Sequence, residues 1–184
     1  GDTVVKINYS TINYKDALAV KDKRPIIKKW PMIPGVDFSG VIESTSNKKF
    51  KKGDQVILNG CGVGEKHYGG FSQKAKINSN WLVKLPTAIT QFDAMAIGSA
   101  GLTAMLCVQQ LKKNLKPGDG KILVTGATGG VGCISVMILS KLGYYVIASS
   151  GKKEEKLLKK LGAKEVLPRE YFIKNDKLLN HQEW

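Results

Sequence analysis

Short alternations of apolar and polar residues fill the first 85 or so positions of this chain, and the pattern then turns helical. In the run 3–9, Val5 and Ile7 alternate with polar neighbours as on a strand, and 13–18 reads as a short helical turn with polar residues at its start. Pro31 and Pro34–Gly35 form a rigid bend before a strand over 36–43, and Lys52, Gly53 and Asp54 form a turn before a strand over 55–58. The glycine-dense segment 60–70 is a long loop, after which Phe71, Gln73, Ala75 and Ile77 alternate as on a half-buried strand. Turns spaced about a dozen residues apart predict a small β-barrel.

Pro86 ends this part. Thr90 and Asp93 have the spacing of a capping box for a helix through Ile97, and 99–113 reads as a second helix with apolar Leu102, Met105, Leu106 and Val108. A continuous apolar strand, 122–125, then runs into a glycine-rich turn and a helix through Leu142 closed by Gly143. A second apolar strand over 144–148 follows, then an amphipathic helix over 152–161 ended by Gly162, and a third strand over 165–167. Alternating strands and helices predict a parallel sheet. The boundary falls near residues 86–98, giving domains of 1–95 and 96–184, and there is no internal repeat.

The turn holds four glycines in seven positions, 126–132, which is entropically costly unless a ligand or close packing needs it. Gly129 and Gly130 would let backbone approach a pyrophosphate, Gly132 would bring helix and strand together, and the helix N-terminus would face the phosphates. Against G-x-G-x-x-G the first position is Ala127. The residues also fit the Thr-Gly-x-x-x-Gly-x-Gly pattern of short-chain dehydrogenases, but those carry the turn near the chain start and a Tyr-x-x-x-Lys pair, and no tyrosine here has a lysine four positions on. At the end of the second strand, where an NAD enzyme places an acid for the ribose 2′-hydroxyl, Ser150, Gly151 and Lys152 offer a hydroxyl, an amide and a cation, with Arg169 just past the third strand. That chemistry suits the 2′-phosphate of NADPH. The cofactor residues are therefore Thr128, Gly129, Gly130, Val131, Gly132, Ser150, Gly151, Lys152 and Arg169.

At 184 residues with 42% hydrophobic composition the chain is long enough for one large or two small domains. No apolar run approaches membrane-spanning length, and no membrane partner is expected. The net charge of +14 is carried almost wholly by lysine, since only Arg24 and Arg169 are arginines. Dispersed lysines without aromatic interleaving or a nucleic-acid motif point to a solvated surface rather than a nucleic-acid partner. Cys61, Cys107 and Cys133 share no close spacing, which predicts buried free thiols and a cytoplasmic location. With only His67 and His181, no metal site is expected. His67, alone in the long loop, reads as a hydrogen-bonded or solvated side chain.

Several stretches in series carry a resemblance: 13–19 around Tyr14, Phe38 within 34–40, the loop 62–70, and Ala100 to Cys107. Together they resemble the acrylyl-CoA reductase (NADPH) family, a quinone-oxidoreductase-like branch of the zinc-free medium-chain dehydrogenase/reductase superfamily. Zinc-containing relatives carry Gly-His-Glu at the bend, where this chain has Gly35-Val36-Asp37. The resemblance implies an α/β fold, with a GroES-like β-barrel domain followed by the first half of a Rossmann doubly wound parallel sheet. It implies hydride transfer from NADPH to the β-carbon of acryloyl-CoA and protonation of the α-carbon, giving propionyl-CoA.

By spacing alone Tyr14 is equally a half-buried barrel tyrosine. The resemblance makes it catalytic, touching cofactor or substrate, while Asp16 stands between a helix cap and a catalyst. A quinone or enone reductase of the same fold is the alternative, and a non-enzymatic RNA-binding role known in the superfamily is a further one. Family members are longer at both ends, so the chain is expected to be a fragment of an enzyme that is a homodimer at full length.

Overall fold

Phe38, Ile42, Val56 and Leu58 have no exposed surface and anchor the first of two units, Gly1–Ser99 and Ala100–Trp184. The structure is a computed structural model that describes residues 1–21 and 25–172. The first unit contains β1 (Thr3–Ser10), α1 (Tyr14–Val20), β2 (Asp37–Thr45), β3 (Gln55–Asn59), β4 (Lys74–Ile77) and β5 (Val83–Lys84). These strands pair antiparallel in the order β4-β1-β2-β3-β5. This five-stranded antiparallel sheet is the β-rich first domain expected from the turn spacing. Side chains alternate across each strand, so Phe38 and Ile42 of β2 join Val5, Val56 and Leu58 in one core. Each fully buried apolar side chain of this size stabilises the unit by about 1.5–3 kcal/mol.

The opposite face of β2 is buried too, and there it is polar. Ser39 Oγ donates to the Gln91 carbonyl at 3.0 Å, and Asp37 is enclosed by hydrogen bonds. The loop 60–70 is no surface excursion. Its Gly69 and Gly70 N–H groups donate to Ile33 and Gly35 carbonyls at 2.7 and 2.8 Å, which seats the loop on the proline bend. The strand expected from Phe71 starts only at Lys74, because the Phe71 N–H is spent on the Pro34 carbonyl.

Helix α2 (Gln91–Leu111) opens with the capping box read from the sequence: Asp93 N–H meets Thr90 Oγ1 at 3.1 Å and Asp93 Oδ2 accepts from Thr90 N–H at 3.0 Å. Its length and mean hydropathy of 1.4 are those of a membrane span, which corrects the reading that no apolar run comes close. Gly98, at φ +51° and ψ −162°, breaks the helical backbone there into two shorter segments. Each of the two segments is by itself shorter than the roughly 20 residues a spanning helix needs. In the second segment Ala104 and Val108 are buried while Leu102, Met105 and Leu106 are exposed, since only the i, i+4 stripe faces the core.

The second unit holds β6 (Lys121–Thr125), α3 (Gly130–Lys141), β7 (Tyr145–Ser150), α4 (Glu155–Lys160) and β8 (Glu165–Pro168). The strands are parallel in the order β6-β7-β8, as continuous apolar runs joined by helices require. Val124, Val136, Leu139, Val146 and Leu158 form its core. Helix α4 begins three residues later than its sequence pattern suggests. The Lys152 N–H donates to Ser150 Oγ at 3.1 Å and the Glu154 N–H to the Lys152 carbonyl at 2.9 Å, which makes 152–154 a turn. Gly162, at φ +108°, closes α4: its N–H reaches the Lys159 carbonyl and the Ala163 N–H the Leu158 carbonyl.

Candidate functional site

Where β6 ends, the chain turns through Gly126 and Ala127 and enters α3. The Ala127 N–H donates to the Ser149 carbonyl at 3.0 Å and the Gly129 N–H to the Gly126 carbonyl at 2.9 Å, so the turn is pinned to β7 and to itself. At Gly132 a Cβ would overlap the Gly126 carbonyl and stand 2.7 Å from Ala127 Cα, which is the close helix-to-strand packing the sequence predicts. Gly129 caps α3 without a side chain, and Gly129, Gly130 and Val131 are exposed. The first N–H groups of the helix therefore have no capping side chain, and the helix dipole adds positive potential there.

The end of β7 lies beside this turn. Thr128 Oγ1 and Ser150 Oγ are hydrogen-bonded at 2.8 Å, and Ser150 Oγ also accepts the Lys152 N–H. β8 pairs with β7 through Pro168 opposite Ser150, which delivers Arg169 to the same place. A Cβ on Gly151 would stand 3.3 Å from the guanidinium carbon of Arg169, so the planar cation rests against bare backbone. A groove of about 680 Å³ opens here between 150–156 and Val166, Leu167 and Pro168. Thus Thr128, Gly129, Gly130, Val131, Gly132, Ser150, Gly151, Lys152 and Arg169 come together in one region of the second unit. Sequence reading missed the carboxylates of the groove, Glu154, Glu155 and Glu170, which face solvent among the lysines.

Tyr14 belongs to the first unit, at the opening position of α1, and is 79% exposed. It is not the half-buried barrel tyrosine that spacing allows. The polar residues next to it in the chain bond to backbone and to one another. Asp16 is buried, and its carboxylate accepts the Asn13 N–H at 2.8 Å and the Gly35 and Val36 N–H groups at 3.2 and 3.1 Å. This assigns Asp16 to the helix start and the proline bend, away from solvent. Asp37, noted in the sequence only for standing where a zinc-binding relative continues its motif, is fully buried and hydrogen-bonded to Asn13 and Ser99. A buried polar residue at the head of an apolar strand is the signal that would have singled it out.

The cysteines correct the sequence reading. Cys61 and Cys107 are exposed and Cys133 is partly so, all as free thiols. Cys61 sits in the glycine loop and Cys107 on the uncovered side of α2, positions where neighbours do not close over them. His67 packs against Trp81 with ring centres 4.7 Å apart and planes tilted by 48°, a packing role. Among the described residues no three His, Cys, Asp or Glu side chains gather as a metal site needs.

Residues 1–87 match the alcohol dehydrogenase GroES-like domain. The chain is 47% identical to the probable acrylyl-CoA reductase AcuI of Escherichia coli K12 over 100% of its own length and 57% of that protein. It is 46% identical to the acrylyl-CoA reductase AcuI of Ruegeria pomeroyi, covering 92% of this chain and 52% of the relative. It is 44% identical to the putative quinone oxidoreductase YhfP of Bacillus subtilis, covering 98% and 56%. Among solved structures, the yhdH oxidoreductase of Salmonella enterica in complex with NADP superposes with a TM-score of 0.96 at 46% identity, over all of this chain and 57% of that one. The B. subtilis yhfP protein with NAD bound gives 0.91 at 42% identity, over all of this chain and 56% of that one. The chain spans between half and three-fifths of the length of these relatives.

Proposed function

We propose that this chain, a member of the acrylyl-CoA-reductase and quinone-oxidoreductase branch of the medium-chain dehydrogenases/reductases, carries the NADPH-binding and part of the catalytic apparatus of an enoyl-thioester reductase. The observation that carries the reading is the cluster at the end of β7: a hydroxyl from Ser150, backbone at Gly151, a cation from Lys152, and the Arg169 guanidinium lying on Gly151. A 2′-phosphate needs hydrogen-bond donors and positive charge in that position, and a planar guanidinium binds phosphate oxygens in pairs. The uncapped N-terminus of α3 and the close approach at Gly132 suit a diphosphate set against backbone N–H groups. NADPH supplies the hydride when bound.

The rest of the chemistry belongs to the chain's own groups. Reduction adds the hydride to the β-carbon of acryloyl-CoA and a proton to the α-carbon, giving propionyl-CoA and NADP⁺. As the hydride arrives, negative charge moves to the thioester oxygen. The Tyr14 phenol, exposed and fixed at its backbone, is the donor we assign to that oxygen or to the nicotinamide ribose. The free thiols fit a reducing, cytoplasmic setting, and a homodimer is the assembly we expect of the whole enzyme.

Two relatives named acrylyl-CoA reductases support this substrate class, while the B. subtilis relative, named a putative quinone oxidoreductase, favours a second acceptor class. Steady-state NADPH oxidation by the full reading frame that carries these residues separates them. A kcat/KM at least tenfold higher with acryloyl-CoA than with a benzoquinone is the expected result; the reverse order would replace the first reading by the second.

A further inference from the structure

We propose that Asp37 is a positioning residue for Tyr14, acting through Asn13; the proposal rests on the reading of Tyr14 as the active-site phenol. Asp37 has no exposed surface, and its Oδ2 accepts from Asn13 Nδ2 at 2.9 Å and from the Ser99 N–H at 2.8 Å, while Oδ1 accepts from Ser99 Oγ at 2.6 Å. Asp16, 2% exposed, holds the backbone N–H of the same Asn13. One residue is thus gripped at its main chain and at its side chain by two different buried carboxylates. The next residue in the chain is Tyr14.

Stability alone does not call for this arrangement. A buried carboxylate loses several kcal/mol of solvation, and neutral donors such as these repay it without profit, so an apolar residue would serve a core equally well. What a saturated carboxylate does supply is direction, since each of its bonds fixes a partner at a set distance and angle. Helix α1, only seven residues long, is too short to hold its own first residue rigidly. Room for the acid is also reserved at Gly98, where a Cβ would stand 3.2 Å from Asp37 Oδ2. The carboxylate fixes Asn13, Asn13 fixes the backbone entering α1, and the phenol of Tyr14 inherits that position while its ring remains open to solvent.

The test is a double-mutant cycle on the full reading frame, with NADPH and acryloyl-CoA as substrates. Asp37→Asn and Asn13→Ala each lower kcat by about tenfold to a hundredfold, the scale of a small misplacement of a reacting group, and leave the KM for NADPH unchanged. In the Tyr14→Phe background neither change lowers kcat further. Losses that multiply in the double variants would overturn the proposal, as would an Asn13→Ala enzyme of full activity beside an impaired Tyr14→Phe enzyme. A Tyr14→Phe enzyme with unaltered kinetics instead removes Tyr14 from the site. Should Asp37→Asn fail to fold, Asn13→Ala decides the matter, because it takes away one amide and leaves both carboxylates in place.

Discussion

At the scale of single residues, the second unit is organised by Ser150, whose hydroxyl meets both Thr128 Oγ1 and the Lys152 N–H. It joins the glycine turn to the cationic end of β7. Ser150→Ala removes one side-chain hydrogen bond on each side, a loss of about 1 kcal/mol or roughly fivefold in an equilibrium constant. The expected result is a KM for NADPH raised by about fivefold with the NADH kinetics unmoved, measured by initial rates; equal losses with both cofactors would make Ser150 merely structural. Gly132 tests the opposite face of the turn. A Cβ there meets backbone of Gly126 and Ala127, which cannot swing away as a side chain would, so Gly132→Ala should destabilise the unit by about 1–3 kcal/mol in chemical denaturation. An unchanged denaturation midpoint would mean that helix and strand have slack between them.

Among the elements, α2 shows what one-dimensional patterning resolves and what it leaves out. The Thr90–Asp93 box was legible because its chemistry is local, three residues apart. The Thr90 hydroxyl and N–H hold the Asp93 carboxyl below the usual carboxylate range. A depressed folded-state pKa stabilises the fold above the unfolded value, near pH 4, and that contribution is lost as pH falls through the folded one. Asp93→Asn should therefore melt below the parent protein at pH 7, and the gap should narrow only as pH falls through the depressed folded-state pKa, where the parent carboxyl also becomes neutral. A gap that does not narrow anywhere on the acid side would show that the cap does not act through its charge. The break at Gly98 was not legible, because it is set by Ser99 reaching Asp37, 62 positions away in the chain. The parallel strands and the glycine turn were readable because apolar runs and glycine spacing are local; the side on which β2 buries its polar residues depends on what packs there, which no run of residues records.

Over the whole molecule, the chain contains an antiparallel sheet within residues 1–87 that match a GroES-like domain, and a three-stranded parallel sheet after it. The lack of an acid at the end of β7 and the presence of Ser150, Lys152 and Arg169 are properties of the sequence, so the proposed cofactor cluster could be named from it. That Arg169 would lie on Gly151 follows from the pairing of β8 with β7 and needed the fold. The groove is electrically mixed, with Glu154, Glu155 and Glu170 along it beside Lys152 and Lys153, while the Arg169 guanidinium lies on Gly151. The cluster at the end of β7 is proposed to read a 2′-phosphate. This is tested most directly by kcat/KM for NADPH and for NADH with acryloyl-CoA, in the full reading frame and in its Lys152→Ala/Arg169→Ala variant. Charge-assisted hydrogen bonds are worth about 1.5–3 kcal/mol each, so NADPH should be preferred by at least tenfold, with the variant losing that preference through NADPH alone. Equal use of NADH and NADPH by the unaltered enzyme, or a preference that survives in the variant, would contradict it.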